Sequence, residues 1–544
     1  MIAEPRIYAA RCSAHNVPAR MPMRTLRQMY VEVVNDGNWA WERLAAPGPS
    51  VDLAIRVDGA LVSTMPLPVD RLEPGERCVF TFKWRSPAEP GPCDFEYDMV
   101  QQNVTFFAAH QTPMLQMEIA LDVHEPTESE RYFDISAQRN YWFYLPTEGI
   151  AWSAHGRSYP MFVRDGVGSK FRDLEGREYL DYVMGWGSCL LGYAHPHVQA
   201  AIAKSLASSP LVTLPYAQEL ALSEKLSEVF PSAEMSAFGK NGSDVTTVAV
   251  RLARLATGRT HVLFSGFHGW QDWNTTIFGN TTASTWFAYG DVAALDELLG
   301  QHDGDVAAIV VEAAAQVQGV QGPVPAADGA FLQALRDRCD RLGIVLVFDE
   351  IWTGFRYLDG SVQHHTGVAP DLTCLGKSLS NGMPLAAVVG KRDVFTAAVH
   401  KIQYTPTFKG EMYSFEAALA AIEVFQREDV PAAVWAYGAR LMRGIDELCV
   451  QTGVPAHMTG LPARMVFAFD LAEETRRVNA RTLLTQELLR EGLLNFRGFM
   501  IPSLAHDERD LATTLEIYGR ALTVVADALR RDAFVERLEL PPII

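Results

Sequence analysis

Up to about residue 125, apolar positions recur at every second residue. Val51, Leu53, Ile55 and Val57 alternate with other residues and run into an Asp58-Gly59 turn. Phe95, Tyr97 and Met99 alternate, as do Leu115, Met117, Ile119, Leu121 and Val123. A period of two describes strands with one face buried. Several such strands at short spacing, broken by Asn35-Asp36-Gly37 and by Pro-Gly, predict an all-β sandwich over residues 1–125. The pair Trp39 and Trp41 after the Asn-Asp-Gly break is similar to that of immunoglobulin-like modules. Such a sandwich serves either as a binding module or as a structural, oligomer-supporting appendage.

After about residue 160 the pattern changes. Strand-like runs (HVLF, AAIVV, IVLVF, LAAVV) alternate with helical stretches. Phe331, Leu332, Leu335, Cys339 and Leu342 fall on one helical face, and Gly343 is placed to end that helix. The stretch AAIVVE, helix, GIVLVFDE therefore reads as a βαβ unit. Continuous β-branched runs predict strands buried on both faces of a mainly parallel sheet, an α/β fold. Ligands of such sheets bind outside the carboxyl ends of the strands.

Composition narrows the class. The chain has 544 residues, 48% of them hydrophobic, so two or three soluble domains are expected. Its 47 basic and 65 acidic residues give a net charge of −18, which disfavours nucleic acid or an anionic membrane as partner. Seven scattered cysteines with no C-x-x-C pair predict reduced thiols and a cytoplasmic location. The first residues lack the apolar core of a signal peptide, and no apolar run is long enough to span a bilayer.

Four short segments carry candidate chemistry. Asp349 ends an apolar strand, either as a functional acid or as a cap for a neighbouring helix. Lys377, in LGKSLSNGMP, follows another strand-like run; it points to solvent or, against apolar walls, becomes a neutral nucleophile. Asn241, Gly242 and Ser243 open a helix whose apolar face is Val245, Val248, Ala249, Leu252 and Ala253. That start is either an ordinary N-cap or a phosphate cradle. The segment SGFHGWQDW follows the strand HVLF, with Phe267 either in the core or stacked on a planar ligand, and His268 beside it. Together these parts specify a flat ring with a phosphate, an acid for a ring nitrogen and a lysine for an aldehyde: pyridoxal 5'-phosphate, PLP. His364-His365 has no Cys or acidic partner in register, so no metal site is expected. No G-x-G-x-x-G follows a strand, which disfavours a nicotinamide enzyme.

The run from Asp349 to Arg356 (DEIWTGFR) followed by LGKSLSNGMPLAAVVG resembles the class III aminotransferases of PLP fold type I. Glutamate-1-semialdehyde 2,1-aminomutase is the nearest member in pattern. The segment from Arg172 (RDLEGREYLDYVMGWGSCLLGYAHPHV) and the segment from Pro502 (PSLAHDERDL) are similar to the family's entry and C-terminal segments. The resemblance covers roughly residues 140–544. It implies a seven-stranded large domain at 196–425 and a small α+β domain split between 126–195, with its linker, and 426–544. It implies that Lys377 forms the Schiff base and that Asp349 pairs with the pyridinium nitrogen. Ile351 and Phe267 are implied to pack on the two ring faces, and Gly242 and Ser243 to hold the phosphate. Asn241, His268 and Glu312 join the implied cofactor-binding set. Thr407 matches a phosphate contact donated by a second subunit, so a homodimer is implied. Trp186 is implied to line the substrate mouth.

The departures concern substrate. Ala151 stands where the aminomutase has a carboxylate-binding arginine, with Trp152 next to it. The family's E-P-V-x-G-N segment reads Glu312-Ala313-Ala314-Ala315-Gln316-Val317, so its asparagine is missing, with Gln316 or Gln318 as replacement. Gly498 replaces a glutamate, and Arg497 beside it is either a substrate-carboxylate ligand or a surface arginine. Intact cofactor machinery with altered substrate machinery predicts an aminotransferase acting on small amines and carbonyls. The alternatives are an intramolecular amino shift or epimerisation, and a non-catalytic binding protein working through the sandwich.

Overall fold

The computed structural model describes residues 6–15, 17–22, 26–43, 50–87, 89–102, 104–110, 115–122, 127–139, 162–274, 283–314, 326–534 and 537–538. The β-rich N-terminal region folds into one sheet of Ala10–His15, Leu26–Asn35 and Arg77–Arg85 and a six-stranded sheet centred on Val51–Val57 and Gly91–Gln101. Pairing is antiparallel apart from Arg20–Pro22, which runs parallel to Leu115–Asp122. Val31, Val33 and Phe80 of one sheet share a core with Leu53, Ile55 and Phe95 of the other, and Trp41 is fully buried there. Asp58 and Gly59, both at positive φ, form the two-residue turn that joins Val57 to Ala60.

The alternation read for Val51–Val57 differs from what the fold does. Every residue from Val51 to Ile55 is buried, Asp52 and Ala54 included, while Val57 is half-buried at the turn. Both faces of the strand are therefore covered, and the buried Asp52 accepts from the Gln102 side-chain amide at 2.7 Å. Val123 lies outside the described residues.

The larger part of the chain, after the N-terminal region, is built on seven strands. They are β1 (Met235–Gly239), β2 (His261–Ser265), β3 (Ser284–Trp286), β4 (Val306–Glu312), β5 (Val345–Asp349), β6 (Leu372–Leu375) and β7 (Ala386–Gly390), in the spatial order β1-β7-β6-β5-β4-β2-β3. All neighbours are parallel except at β7, which is antiparallel to both β1 and β6. Helix α1 (Gly242–Thr257) covers one face and α2 (Gly329–Leu342) the other. The residues of β2, β5, β6 and β7 are all buried, as continuous apolar runs require. In α2 the expected face is buried at Phe331, Leu332, Leu335 and Cys339, but Leu342 is 37% exposed. It is the last helical residue, and the left-handed Gly343 turns the chain away there.

Strands β8 (Ala456–Leu461), β9 (Arg464–Phe469) and β11 (Phe499–Met500) form a small antiparallel sheet. β10 (Leu493–Leu494) runs parallel to Glu178–Asp181, so the segment that precedes the large sheet joins the one that follows it. This brings the Asp181–Gly187 segment and the β9–β11 sheet to the side of the large sheet where Lys377 emerges.

Leu346 is fully buried in the middle of β5. Leu346→Ala is expected to lower unfolding stability by about 2–5 kcal/mol. Urea denaturation followed by far-UV circular dichroism checks this.

Candidate active site

Parallel register sets the frame. Ser265 pairs with Val311, Glu312 with Asp349, and Asp349 with Cys374, so β2, β4, β5 and β6 end at one edge of the sheet. Lys377 follows that edge at the head of a short 3-10 turn, Lys377–Ser380. Its φ of 41° is left-handed, a conformation that costs a non-glycine residue about 1–2 kcal/mol. Burial, reinforced by the charges of Arg464 and Arg356, pushes the Lys377 amine down to about 8, against the opposing pull of Asp349 and Glu312.

Asp349 is 6% exposed, and its two oxygens are engaged separately. Oδ1 accepts the Ile351 N–H at 3.0 Å, and Oδ2 lies 2.8 Å from His268 Nδ1. His268 Nε2 faces the Ser265 carbonyl at 3.1 Å, so the ring donates on that side and its other nitrogen meets the acid. His268 is itself buried. The Glu312 carboxyl accepts the Phe267 N–H at 3.0 Å and is held above the usual carboxylate range, by burial first and by Asp349 next.

Glu350, adjacent in sequence, does something different. It is fully buried and accepts from Thr353 Oγ1, the Val362 N–H, the Gln363 N–H and the Gln363 side-chain amide. It ties the post-β5 turn to the following helix, so of the two consecutive acids only Asp349 faces the strand-end edge.

The four segments meet through close contacts. Ile351 lies against both Gly242 and Gly376: a Cβ at either glycine would sit 3.1 or 3.2 Å from Ile351 Cδ1. A Cβ on Gly269 would fall 2.4 Å from Ser243 Oγ, and one on Gly266 would fall 2.6 Å from Glu312 Oε2. Asn241 caps α1 by accepting the Asp244 N–H at 3.0 Å, and Asp244 accepts in return from the Lys240 and Asn241 N–H groups. The cap thus takes the third helical N–H, while Gly242 and Ser243 supply the first two N–H groups at the positive end of the helix dipole. Phe267 is 37% exposed and lies outside the core.

The substrate candidates are spread around this cluster. Trp186 is 41% exposed and stands edge-on to Phe496 at 4.9 Å. It sits in a run of four residues, Met184 to Gly187, all with φ between 49° and 80°. Asp181 stitches that run: it accepts the Val183 and Met184 N–H groups and the Tyr193 hydroxyl, which in turn accepts the Gly185 N–H. The Gly187 carbonyl accepts Arg356 Nη2 at 2.6 Å. Arg497 occupies a two-residue turn with Gly498, between Phe496 and Phe499, and stacks on Phe496 at 5.4 Å. Thr407 is exposed in the turn before helix Met412–Glu428. Ala151, Trp152, Gln316 and Gln318 lie outside the described residues.

Sequence reasoning missed Arg464. It heads β9, is 5% exposed, and stacks on Trp352 and Phe499 at 5.2 and 4.8 Å. The available signal was a cation opening an otherwise apolar strand, Arg464-Met-Val-Phe-Ala-Phe. His365 pairs with Asp359 at 2.9 Å, and among the described residues no group of three ligating side chains is placed to hold a metal.

The donor set fits PLP. An amine lowered to about 8, an anchored acid, an aliphatic side chain at the glycine-lined approach and a helix N-terminus lie within one contact cluster. A side chain at position 242 or 376 would press on the tip of Ile351, so both positions bring the backbone close to that side chain.

Residues 152–522 match the family model described as Aminotransferase class-III. The chain is 31% identical over 385 residues to the 3-aminobutyryl-CoA aminotransferase of Cloacimonas acidaminovorans (strain Evry), across 68% of this chain and 91% of that protein. It is 32% identical over 399 residues to the glutamate-1-semialdehyde 2,1-aminomutase of Thermomicrobium roseum, across 68% and 92%. The solved PLP-bound FumI protein of Sphingopyxis sp. MTA144 superposes with a TM-score of 0.69 at 26% identity, across 74% of this chain and 98% of that one. The family match begins after the β-rich N-terminal region.

An amine lowered from 10.5 to about 8 becomes nucleophilic as pH rises through about 8. Labelling of Lys377 by trinitrobenzenesulfonate in cofactor-stripped protein, read by peptide mapping, is expected to rise across that range. In the unfolded chain the rise is expected near 10.5.

Proposed function

This chain belongs to the class III aminotransferases, which are PLP-dependent enzymes, and we propose that it moves an amino group from an amine donor to a carbonyl acceptor in two half-reactions. The observation that carries this reading is the contact cluster joining Lys377, Asp349, Ile351 and the start of α1. When bound, PLP supplies an aldehyde and an electron sink.

The residues of this chain do the rest. Gly242 and Ser243 would hold the phosphate with backbone N–H groups. Asp349, steadied by His268 and by the Ile351 N–H, would pair with the ring nitrogen and hold its proton. Ile351 and Phe267 would hold the ring between them, and Asn241 and Glu312 fix the loops around them. Lys377 would hold the cofactor through its aldehyde, and its amine, lowered to about 8, would take the proton from the amine-bearing carbon of the substrate. Trp186 and Arg497, joined through Phe496, form one wall of the mouth.

A second reading, isomerisation of a single amine, is supported by the likeness to the aminomutase. Against it stands Gly498. At φ 84° in a tight turn, with the Phe467 carbonyl 2.9 Å from any Cβ, that position accommodates no glutamate.

The functional unit in this reading is a homodimer, with Thr407 completing the partner's phosphate site. The domains divide at about residues 125, 195 and 425, and the N-terminal sandwich supports the assembly. Seven free thiols support a reducing compartment, the cytoplasm. No helix among the described residues is long and apolar enough to cross a membrane.

Purified enzyme is expected to be yellow, and a panel of amines added singly is expected to include one that bleaches the colour and releases its keto product. Lys377→Ala is expected to lose that band and to slow transfer by at least about a thousandfold. An amine that isomerises with no keto product decides for the second reading. Absence of any band after incubation with PLP overturns both.

A further inference from the structure

Four consecutive residues beside the site, Met184, Gly185, Trp186 and Gly187, are left-handed, at φ 49°, 59°, 59° and 80°. Two of them are not glycines, and L residues disfavour that region. Such a run persists only where its surroundings over-determine it. Main-chain bonds close the turn, from the Gly187 N–H to the Val183 carbonyl and from the Cys189 N–H to the Met184 carbonyl. Side chains from outside hold it at three points. Asp181 takes the Val183 and Met184 N–H groups at its start, and Arg356 takes the Gly187 carbonyl at its end. Tyr193 holds the middle: its hydroxyl accepts the Gly185 N–H at 3.1 Å, one residue before Trp186.

Tyr193 is itself fixed on two sides. The same hydroxyl donates to Asp181 Oδ2 at 2.5 Å, and Asp181 is 4% exposed. Burial first, and the Asp181 charge next, hold the phenol above its usual range, so it keeps the proton that it donates. The Tyr193 backbone exchanges two bonds, of 2.7 and 2.9 Å, with Gly168, in the turn between Val163–Val167 and Lys170–Asp173. Its ring packs on Gly166, where a Cβ would fall 3.2 Å from Cδ2. Tyr193 thus passes the rigidity of a hairpin to the turn. The turn in turn borders the lysine segment: the Gly187 carbonyl accepts Ser378 Oγ at 3.5 Å, one residue after Lys377.

We propose that Tyr193 is a specificity-determining positioning residue. Through the Gly185 N–H it sets where the Trp186 ring stands across the mouth, and so how much bulk beside the amine-bearing carbon a substrate can bring to Lys377. At this wall the substrate is selected by shape. This deepens the proposed transamination and rests on that reading, in which Trp186 lines the mouth.

The test uses full-length holoenzyme and Tyr193→Phe, which deletes one oxygen and keeps the ring. Exchange of the Gly185 amide, resolved by mass spectrometry, is expected to be slow in wild type and at least about fivefold faster in the variant, the scale of one lost hydrogen bond. The ratio of kcat/KM for isopropylamine over 1-phenylethylamine is measured in wild type, Tyr193→Phe, Trp186→Ala and the double variant. Tyr193→Phe is expected to move the ratio toward that of Trp186→Ala by about fivefold, mainly through KM. In the Trp186→Ala background it is expected to move the ratio no further. Gly185→Ala, whose Cβ would fall 2.9 Å from Ser188 Oγ, displaces the turn at the same point and serves where Tyr193→Phe fails to fold. The proposal is overturned if the Gly185 amide exchanges freely in wild type or if Trp186→Ala leaves the ratio unchanged. It is equally overturned if Tyr193→Phe slows both amines alike, or shifts the ratio just as much without Trp186. If no amine yields a keto product in wild type, transamination fails, and dissociation constants for the two amines, read from their effect on the yellow band, decide the role of Tyr193 in the same comparison.

Discussion

The site depends on how closely three backbone segments approach Ile351. The end of β5, the start of α1 and the glycine before Lys377 converge on one aliphatic side chain, and a Cβ at either glycine would crowd it at 3.1 or 3.2 Å. Parallel register brings the strand ends to one edge, but register alone leaves Lys377 and the helix start as separate features. The Ile351 contact fixes the spacing between lysine, acid and helix N-terminus, and rigid spacing of this kind gives a multi-point ligand site its precision.

Charge is arranged around that frame with some economy. Two carboxyls, Asp349 and Glu312, stand side by side at adjacent strand ends. The Asp349 charge helps hold the Glu312 carboxyl above its usual range, and each acid has its own partners: His268 and the Ile351 N–H for one, the Phe267 N–H for the other. Beyond burial, the cations Arg464 and Arg356 lower the affinity of Lys377 for its proton. The lysine is thus tuned from outside its own segment, by residues more than twenty and more than eighty positions away in the chain.

Much of this was legible in the sequence, for identifiable reasons. Buried parallel strands are continuous apolar runs, and a polar residue that ends one stands out, so β5 with Asp349 and β6 with Lys377 could be read directly. The apolar face of α1 followed from its 3.6-residue period. What escaped was whatever depends on tertiary neighbours. Val51–Ile55 reads as half-buried because alternation cannot reveal a second covered face. Asp349 and Glu350 look alike in sequence, and only the donors from the Val362 segment distinguish the structural acid from the one at the edge. Arg464 escaped because its surroundings come from three separate segments, contributing Trp352, Phe499 and Glu312.

The left-handed run from Met184 to Gly187 has a consequence of its own. Its direction is set by backbone bonds to Asp181 and Tyr193 and by the Arg356 grip on the Gly187 carbonyl, rather than by what the Trp186 ring packs against. A protruding residue whose pointing is decided by its main chain is an interchangeable part. The ring can be traded for a smaller or differently shaped group without re-laying the loop beneath it. In the proposed reading, where Trp186 lines the entrance, one substitution there would change which molecules the enzyme admits while the chemistry below stays untouched.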